Sequence, residues 1–180
     1  MIGRYLQEVI ASRLFSGKTI LLLGPRQVGK TTLVRQIQQA NPDKSMWLNA
    51  DNPDDRELLN NMNTTRAQEL FPPGSLVIID EAQRIENAGL TLKIIHDNCE
   101  GIQLIATGSS AFELTDKIKE SMTGRKWSYK LFPISFEELV HHTNRIELLK
   151  SLETRMIFGS YPEVINRAGS EKEVLNELGS

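Results

Sequence analysis

The chain is 180 residues long, with 39% apolar, 24% charged and 6% aromatic residues. That is enough for one ordinary domain burying roughly 70% of its unfolded-chain surface, and it excludes two full domains, collagen-like repeats and a disordered tail. Its 21 basic and 23 acidic residues leave a net charge of −2, so no overall basic field points to nucleic acid or an anionic membrane. The single cysteine, Cys99, has no partner for an intrachain disulfide, which fits a reducing compartment. No apolar run approaches the ~18 residues of a membrane span. Arg4, Gln7 and Glu8 interrupt the start of the chain, so it has no signal-peptide core, and a cytoplasmic location is expected.

Ile2, Leu6, Val9, Ile10 and Leu14 recur at helical spacing and predict an amphipathic helix over Ile2–Phe15, ended by Ser16-Gly17. Thr19–Leu23 (TILLL) then reads as a strand, apolar without alternation, as in a parallel sheet covered on both faces. Leu76–Ile79 has the same character after Pro72-Pro73-Gly74, and Ile102–Ala106 follows Gly101. Met46–Asn49 and Lys126–Leu131 are weaker strand candidates.

Helical patterns separate these runs. Lys30–Ala40 carries Leu33, Val34, Ile37 and Ala40 on one face and stops at Asn41-Pro42. Asn52-Pro53 reads as a cap with proline at the first helical position, opening a helix through Leu58, Leu59 and Met62. Further helices are expected over Leu90–Cys99, Ala111–Met122, Phe136–His142, Arg145–Ile157 and Glu171–Leu178. Strands alternating with helices imply parallel βαβ units, hence an α/β fold with a central, mostly parallel sheet between helical layers.

Gly24-Pro25-Arg26-Gln27-Val28-Gly29-Lys30-Thr31 matches G-x-x-x-x-G-K-[ST] and is followed by Thr32. Glycines let the backbone curl so that successive N–H groups face a phosphate, and the following helix adds its N-terminal dipole. Lys30 brings a mobile cation to the β/γ-phosphates, and the Thr31 hydroxyl can ligate Mg²⁺. The motif follows a buried-strand pattern and opens an amphipathic helix, which is the context the chemistry requires. A P-loop NTPase fold and nucleotide binding are the expectation.

Leu76–Ile79 runs directly into Asp80-Glu81. In a P-loop enzyme one carboxylate at such a strand end holds Mg²⁺, here Asp80. The next, Glu81, polarises the attacking water. Small GTPases orient water with a switch glutamine and carry an Asn-Lys-x-Asp motif that is absent here, so ATP is favoured.

With these motifs in view, the chain resembles the AAA+ ATPases. GPRQVGKTTL, LVIIDEAQR, LIATGSS, MTGRKWSYKLFPISFEEL and GSYPEV together resemble a prokaryotic AAA-type group with an RQVGKTT loop that usually continues into a C-terminal domain. The resemblance implies Lys30 and Thr31 for Walker A and Asp80 and Glu81 for Walker B. It also implies a polar sensor at Ser109, whose other reading is a helix N-cap. Arg125 resembles the Gly-Arg position that acts on a neighbouring subunit's nucleotide, with Arg84 a lesser candidate and a plain surface arginine the alternative. Residues 1–144 are expected to form the AAA+ core, and 145–180 the start of a helical lid. That lid is incomplete relative to the longer relatives, and their second sensor arginine and C-terminal domain are expected to be missing.

His96, His141 and His142 lack partners at metal-ligand spacing and read as surface or helix-end residues. Cys99, Trp47 and Trp127 read as packing residues, and Arg125, Lys126 and Lys130 as a solvated face. The expected function is Mg²⁺-dependent ATP binding and hydrolysis. The alternatives are an ATP-gated module acting on a protein or DNA partner with negligible hydrolysis, and, less well matched, a small-molecule kinase. A homo-oligomer stays open, and composition offers nothing for DNA.

Overall fold

Five strands form one sheet in the computed structural model, which describes residues 2–109, 118, 120–167 and 169–178. They are β1 (Thr19–Leu23), β2 (Ser45–Asn49), β3 (Leu76–Asp80), β4 (Gln103–Gly108) and β5 (Lys126–Lys130). The order is β2-β3-β4-β1-β5, and every pairing is parallel. All residues of β1, β3 and β4 are buried, as their unbroken apolar runs require.

Alternate side chains of each strand enter opposite cores. Ile20, Leu22, Leu76, Ile78 and Ile105 pack against Leu33, Val34 and Ile37 of α2 (Lys30–Gln39). Leu21, Leu23, Val77, Ile79 and Leu104 pack on the other face against Leu92 and Ile95 of α5 (Ala88–Asn98). The period of two along a strand thus produces three layers from sequences with no polar alternation.

Helix α1 (Tyr5–Ala11) is shorter than the predicted Ile2–Phe15. Arg4 is extended at its start, and beyond its end the Ser12 and Ser16 hydroxyls bond back to the Val9 and Arg13 carbonyls. The Asn52 cap is present: its side chain accepts from the Asp54 N–H at 3.0 Å and opens α3 (Pro53–Asn60). The helix predicted through Met62 stops there instead. Asn63 caps a separate α4 (Thr64–Leu70) by accepting from the Arg66 N–H.

Helix α6 (Phe136–His142) coincides with its prediction, held by a reciprocal Ser135–Glu138 capping box. The predicted Arg145–Ile157 helix is two, α7 (Arg145–Lys150) and α8 (Leu152–Phe158), broken where the Ser151 hydroxyl turns back to the Leu148 carbonyl. A short α9 (Pro162–Asn166), absent from the sequence reading, precedes α10 (Glu171–Leu178). The helix expected over Ala111–Met122 lies largely outside the described residues. No helix among those described is long and apolar enough to cross a membrane.

The register brings the candidate residues together. Leu23 lies opposite Gly108, and Asn49 opposite Asp80, so the loops after β1, β3 and β4 emerge side by side at one edge of the sheet.

Candidate functional site

The loop from Gly24 to Lys30 leaves β1 at that edge and feeds α2. Gly24 donates its N–H to the Gly108 carbonyl at 3.2 Å, and any Cβ there would drive into the Leu131 carbonyl oxygen. Gly29, at φ 99°, is the left-handed N-cap of α2. Gln27 is left-handed too, at φ 60°, without the glycine exemption. Pro25, Arg26 and Gln27 are exposed at the loop's crest, Val28 is buried beneath it, and Thr32 is exposed on the first turn of α2.

Lys30 is buried, and its Nζ donates to the Gly24 and Pro25 carbonyls at 2.9 and 2.8 Å. Burial pulls its pKa below the usual lysine value, with Arg26 adding to the effect, while Glu81 and Asp80 oppose it. The ammonium is therefore folded against the loop, within the field of both carboxylates.

Those carboxylates belong to a continuous polar chain. Thr31 Oγ1 donates to Asp80 Oδ2 at 3.1 Å, and Thr107 Oγ1 donates to Asp80 Oδ1. Thr107 also accepts the Glu81 N–H at 3.1 Å. Glu81 sits at φ 54°, a left-handed position that is strained for a non-glycine residue and that turns the chain sharply after β3. Gln83 then donates to Glu81 Oε2 and to Ser109 Oγ, the latter at 2.8 Å, and its Oε1 accepts the Ser109 N–H at 3.3 Å.

Lys30, Thr31, Asp80, Glu81 and Ser109, all singled out in the sequence, thus share one constellation. Thr107 and Gln83 were missed. The available signals were a hydroxyl in an otherwise apolar buried strand and the glutamine of the quoted DEAQR motif. Also missed was the far wall: Pro162, Glu163, Asn166 and Arg167 face Lys30, Thr31 and Glu81 across a cleft of about 420 Å³. A second cavity of about 250 Å³ adjoins it, sharing Gly29, Thr32, Pro162 and Asn166 and adding Ile2, Arg4, Leu33, Gln36 and Ile134.

The structure does not bring the two candidate arginines to this cleft. Arg125 precedes β5 at the opposite edge of the sheet, where its carbonyl accepts from Thr19 and its side chain pairs with Asp97 at 2.8 Å. Arg84 pairs with Asp51 at 3.0 Å in solvent. His96 is half-buried with Nδ1 3.1 Å from Thr19 Oγ1, and His141 and His142 are exposed. Among the described residues no three His, Cys, Asp or Glu side chains gather to hold a metal. Thr31 Oγ1 and Asp80 Oδ2 are instead an oxygen-only pair, the donor type Mg²⁺ takes when phosphates complete its shell.

A protein-family model described as an AAA domain matches residues 16–140. The chain belongs to the AAA domain family. This AAA domain is 27% identical over 195 aligned residues to the uncharacterized protein MJ1544 of Methanocaldococcus jannaschii, covering 97% of this chain and 43% of that protein. It is 34% identical over 107 residues to the uncharacterized protein Rv2008c of Mycobacterium tuberculosis, covering 59% of this chain and 23% of that one. The AAA domain therefore spans less than half the length of these curated relatives. Among solved structures, its fold is similar to the Walker-type ATPase PABY2304 of Pyrococcus abyssi, with a TM-score of 0.61 at 16% identity, covering 99% of this chain and 71% of that one. The Thermotoga maritima RuvB Holliday junction branch migration motor is similar at a TM-score of 0.52 and 16% identity, covering 85% of this chain and 52% of that one. The family match identifies an AAA domain, and the likeness to these structures shows the α/β fold of P-loop NTPases.

Proposed function

We propose that this domain binds Mg-ATP between the phosphate loop and α9 and hydrolyses it at the Asp80–Glu81 strand end. The observation that carries the reading is the unbroken chain Thr31–Asp80–Thr107–Glu81 beside Lys30, at the N-terminal end of a ten-residue helix. Gln27, Gly29, Lys30 and Thr31 of RQVGKTT and Glu81 of DEAQR line this cleft, and the two motifs support placing the chain with the prokaryotic AAA-type group of that pattern.

On binding, the β- and γ-phosphates replace the Gly24 and Pro25 carbonyls as partners of Lys30. The N–H groups from Gln27 to Thr32 cradle the phosphates, aided by the dipole of α2. Thr31 and Asp80 would hold Mg²⁺, which would supply neutralisation of the phosphate charge. Glu81 Oε accepts a proton from the attacking water, and Ser109 and Gln83 fix where that carboxylate points. The adjoining cavity, where Ile2, Leu33 and Ile134 stand beside Arg4 and Gln36, is the space left for the base, and Arg167, paired with Glu163 at 3.0 Å, is a cation on the wall of the cleft.

Titration with a fluorescent ATP analogue tests the reading. Removing the charge-assisted bonds of Lys30 in Lys30→Ala should cost about 1.5–3 kcal/mol, or roughly ten- to a hundredfold in affinity. Equal affinity for wild type and Lys30→Ala would sink it. A second reading, an ATP-gated module with negligible hydrolysis, draws on one observation: Gln83 already occupies the Glu81 carboxylate. Bound ATP with equally negligible turnover in wild type and Glu81→Gln would favour that module. Arg125 could serve only a neighbouring copy's nucleotide, after leaving Asp97. Turnover per chain that climbs with protein concentration would support that role.

A further inference from the structure

We propose that Arg4, which lies outside the phosphate motif, is a positioning residue that sets the orientation of the loop's Val28–Gly29 peptide. Its backbone is extended just before α1, and its side chain is only 9% exposed. The guanidinium engages three separate partners. Nη1 donates to the Val28 carbonyl at 3.0 Å, Nη2 to the Phe132 carbonyl, and Nε to Glu138 Oε1 at 3.1 Å.

Glu138 is itself held. Its Oε1 also accepts the Tyr5 N–H at 3.0 Å, and its Oε2 accepts the Ser135 N–H at 2.9 Å. Burial works against its charge, yet the Ser135 N–H, the Arg4 side chain and the Tyr5 N–H hold its pKa below the usual carboxylate range. The loop is thus tied through one side chain to the segment after β5 and to the first turn of α6.

The loop needs such a tie because of its backbone. Val28 lies between left-handed Gln27 and Gly29, a kinked conformation with few intrinsic preferences to hold it. In a planar trans peptide the C=O and the following N–H point in opposite directions. A Val28 carbonyl drawn towards Arg4 therefore turns the Gly29 N–H away from Arg4, and Gly29 lines the cleft. A lysine cannot reproduce this, since one ammonium cannot span three acceptors that the guanidinium fork meets at once.

The functional half of this proposal rests on the loop binding phosphate; the structural half does not. The test compares the full chain with Arg4→Lys, Glu138→Gln and Lys30→Ala, by amide hydrogen exchange without nucleotide and by Mg-ATP titration. Arg4→Lys should speed exchange of the Gln27–Lys30 amides about tenfold while β1, β3 and β4 exchange as in wild type, and weaken Mg-ATP binding about tenfold. Glu138→Gln, which leaves the guanidinium in place but loosens its anchor, should shift the same amides in the same direction and decides the matter if Arg4→Lys fails to fold. Unchanged loop exchange in both variants, or acceleration spread evenly over the sheet, would overturn the proposal. If wild type and Lys30→Ala bind Mg-ATP alike, the nucleotide reading fails, and the exchange pattern still decides Arg4's hold on the loop.

Discussion

The two edges of the sheet treat charge differently. At the edge where the strands end, Lys30 is 4% and Asp80 5% exposed, each in a net of hydrogen bonds. At the opposite edge, Arg125 and Asp97 make an ion pair whose side chains are 39% and 33% exposed. Holding charge away from water costs several kcal/mol per ion unless partners compensate it. A solvated pair of the second kind contributes about 0–1 kcal/mol. One edge holds its charges in a buried hydrogen-bonded network; the other holds a solvated pair at the starts of β1 and β5.

The contrast should be sharpest in Glu81→Gln. Replacing the proposed general base should lower ATP turnover by roughly 10²–10⁴-fold, with nucleotide binding retained. Steady-state turnover beside a binding titration checks this, and a turnover within twofold of wild type would remove Glu81 from the role. Thr107→Val comes next. It keeps the side-chain shape but leaves an Asp80 oxygen and the Glu81 N–H without their hydroxyl partner, at about 1–3 kcal/mol. Both chemical unfolding and turnover should register the loss. An unaffected turnover would mean that Asp80 is held well enough by Thr31 alone.

The far edge supplies the smaller effects. Burial first, then Arg125 against the opposing pull of Asp97, lowers the His96 pKa below its ordinary 6.5. The unfolded chain therefore binds more protons in that window. Stability should fall as pH drops from about 6.5 through the lowered pKa, and level off below it. Denaturant midpoints measured between pH 8 and 5 should show a slope that flattens in His96→Gln; an identical slope would assign the effect elsewhere. The Glu138 contribution is separable, because its pKa is depressed and its loss begins only as pH falls below the ordinary 4.5. Smallest of all, Arg125→Ala should change stability by less than about 1 kcal/mol. A large turnover defect in that variant, confined to high protein concentration, would instead make the far edge part of a shared site.

Much of this was legible from local pattern. The apolar runs of β1, β3 and β4, the Asn52-Pro53 start of α3 and the Phe136–His142 pattern of α6 each declare themselves within a few residues, because strand burial and helix capping are local physics. Gly24, Gly29, Lys30 and Thr31 were readable for the same reason, since a phosphate cradle is built from consecutive backbone N–H groups. The breaks at Asn60 and Ser151 were not. There a polar side chain competes for the backbone, and helical periodicity alone is blind to that contest.

The residues that complete the site belong to tertiary structure. Thr107 meets Asp80 across 27 positions, and Arg4 meets Glu138 across 134. Nothing in the spacing of either pair announces a contact, because parallel strands and a returning helix bring together segments that no local rule relates. The same register separates Arg125 from its own chain's loop by the length of β5, five residues or about 16 Å; the motif around it implied a neighbouring subunit's nucleotide, not this one. Local chemistry in the chain therefore specified which groups are proposed to meet phosphate. The order β2-β3-β4-β1-β5 decided which groups stand behind them, since a hydrogen bond is set by distance and direction in space and not by separation along the chain.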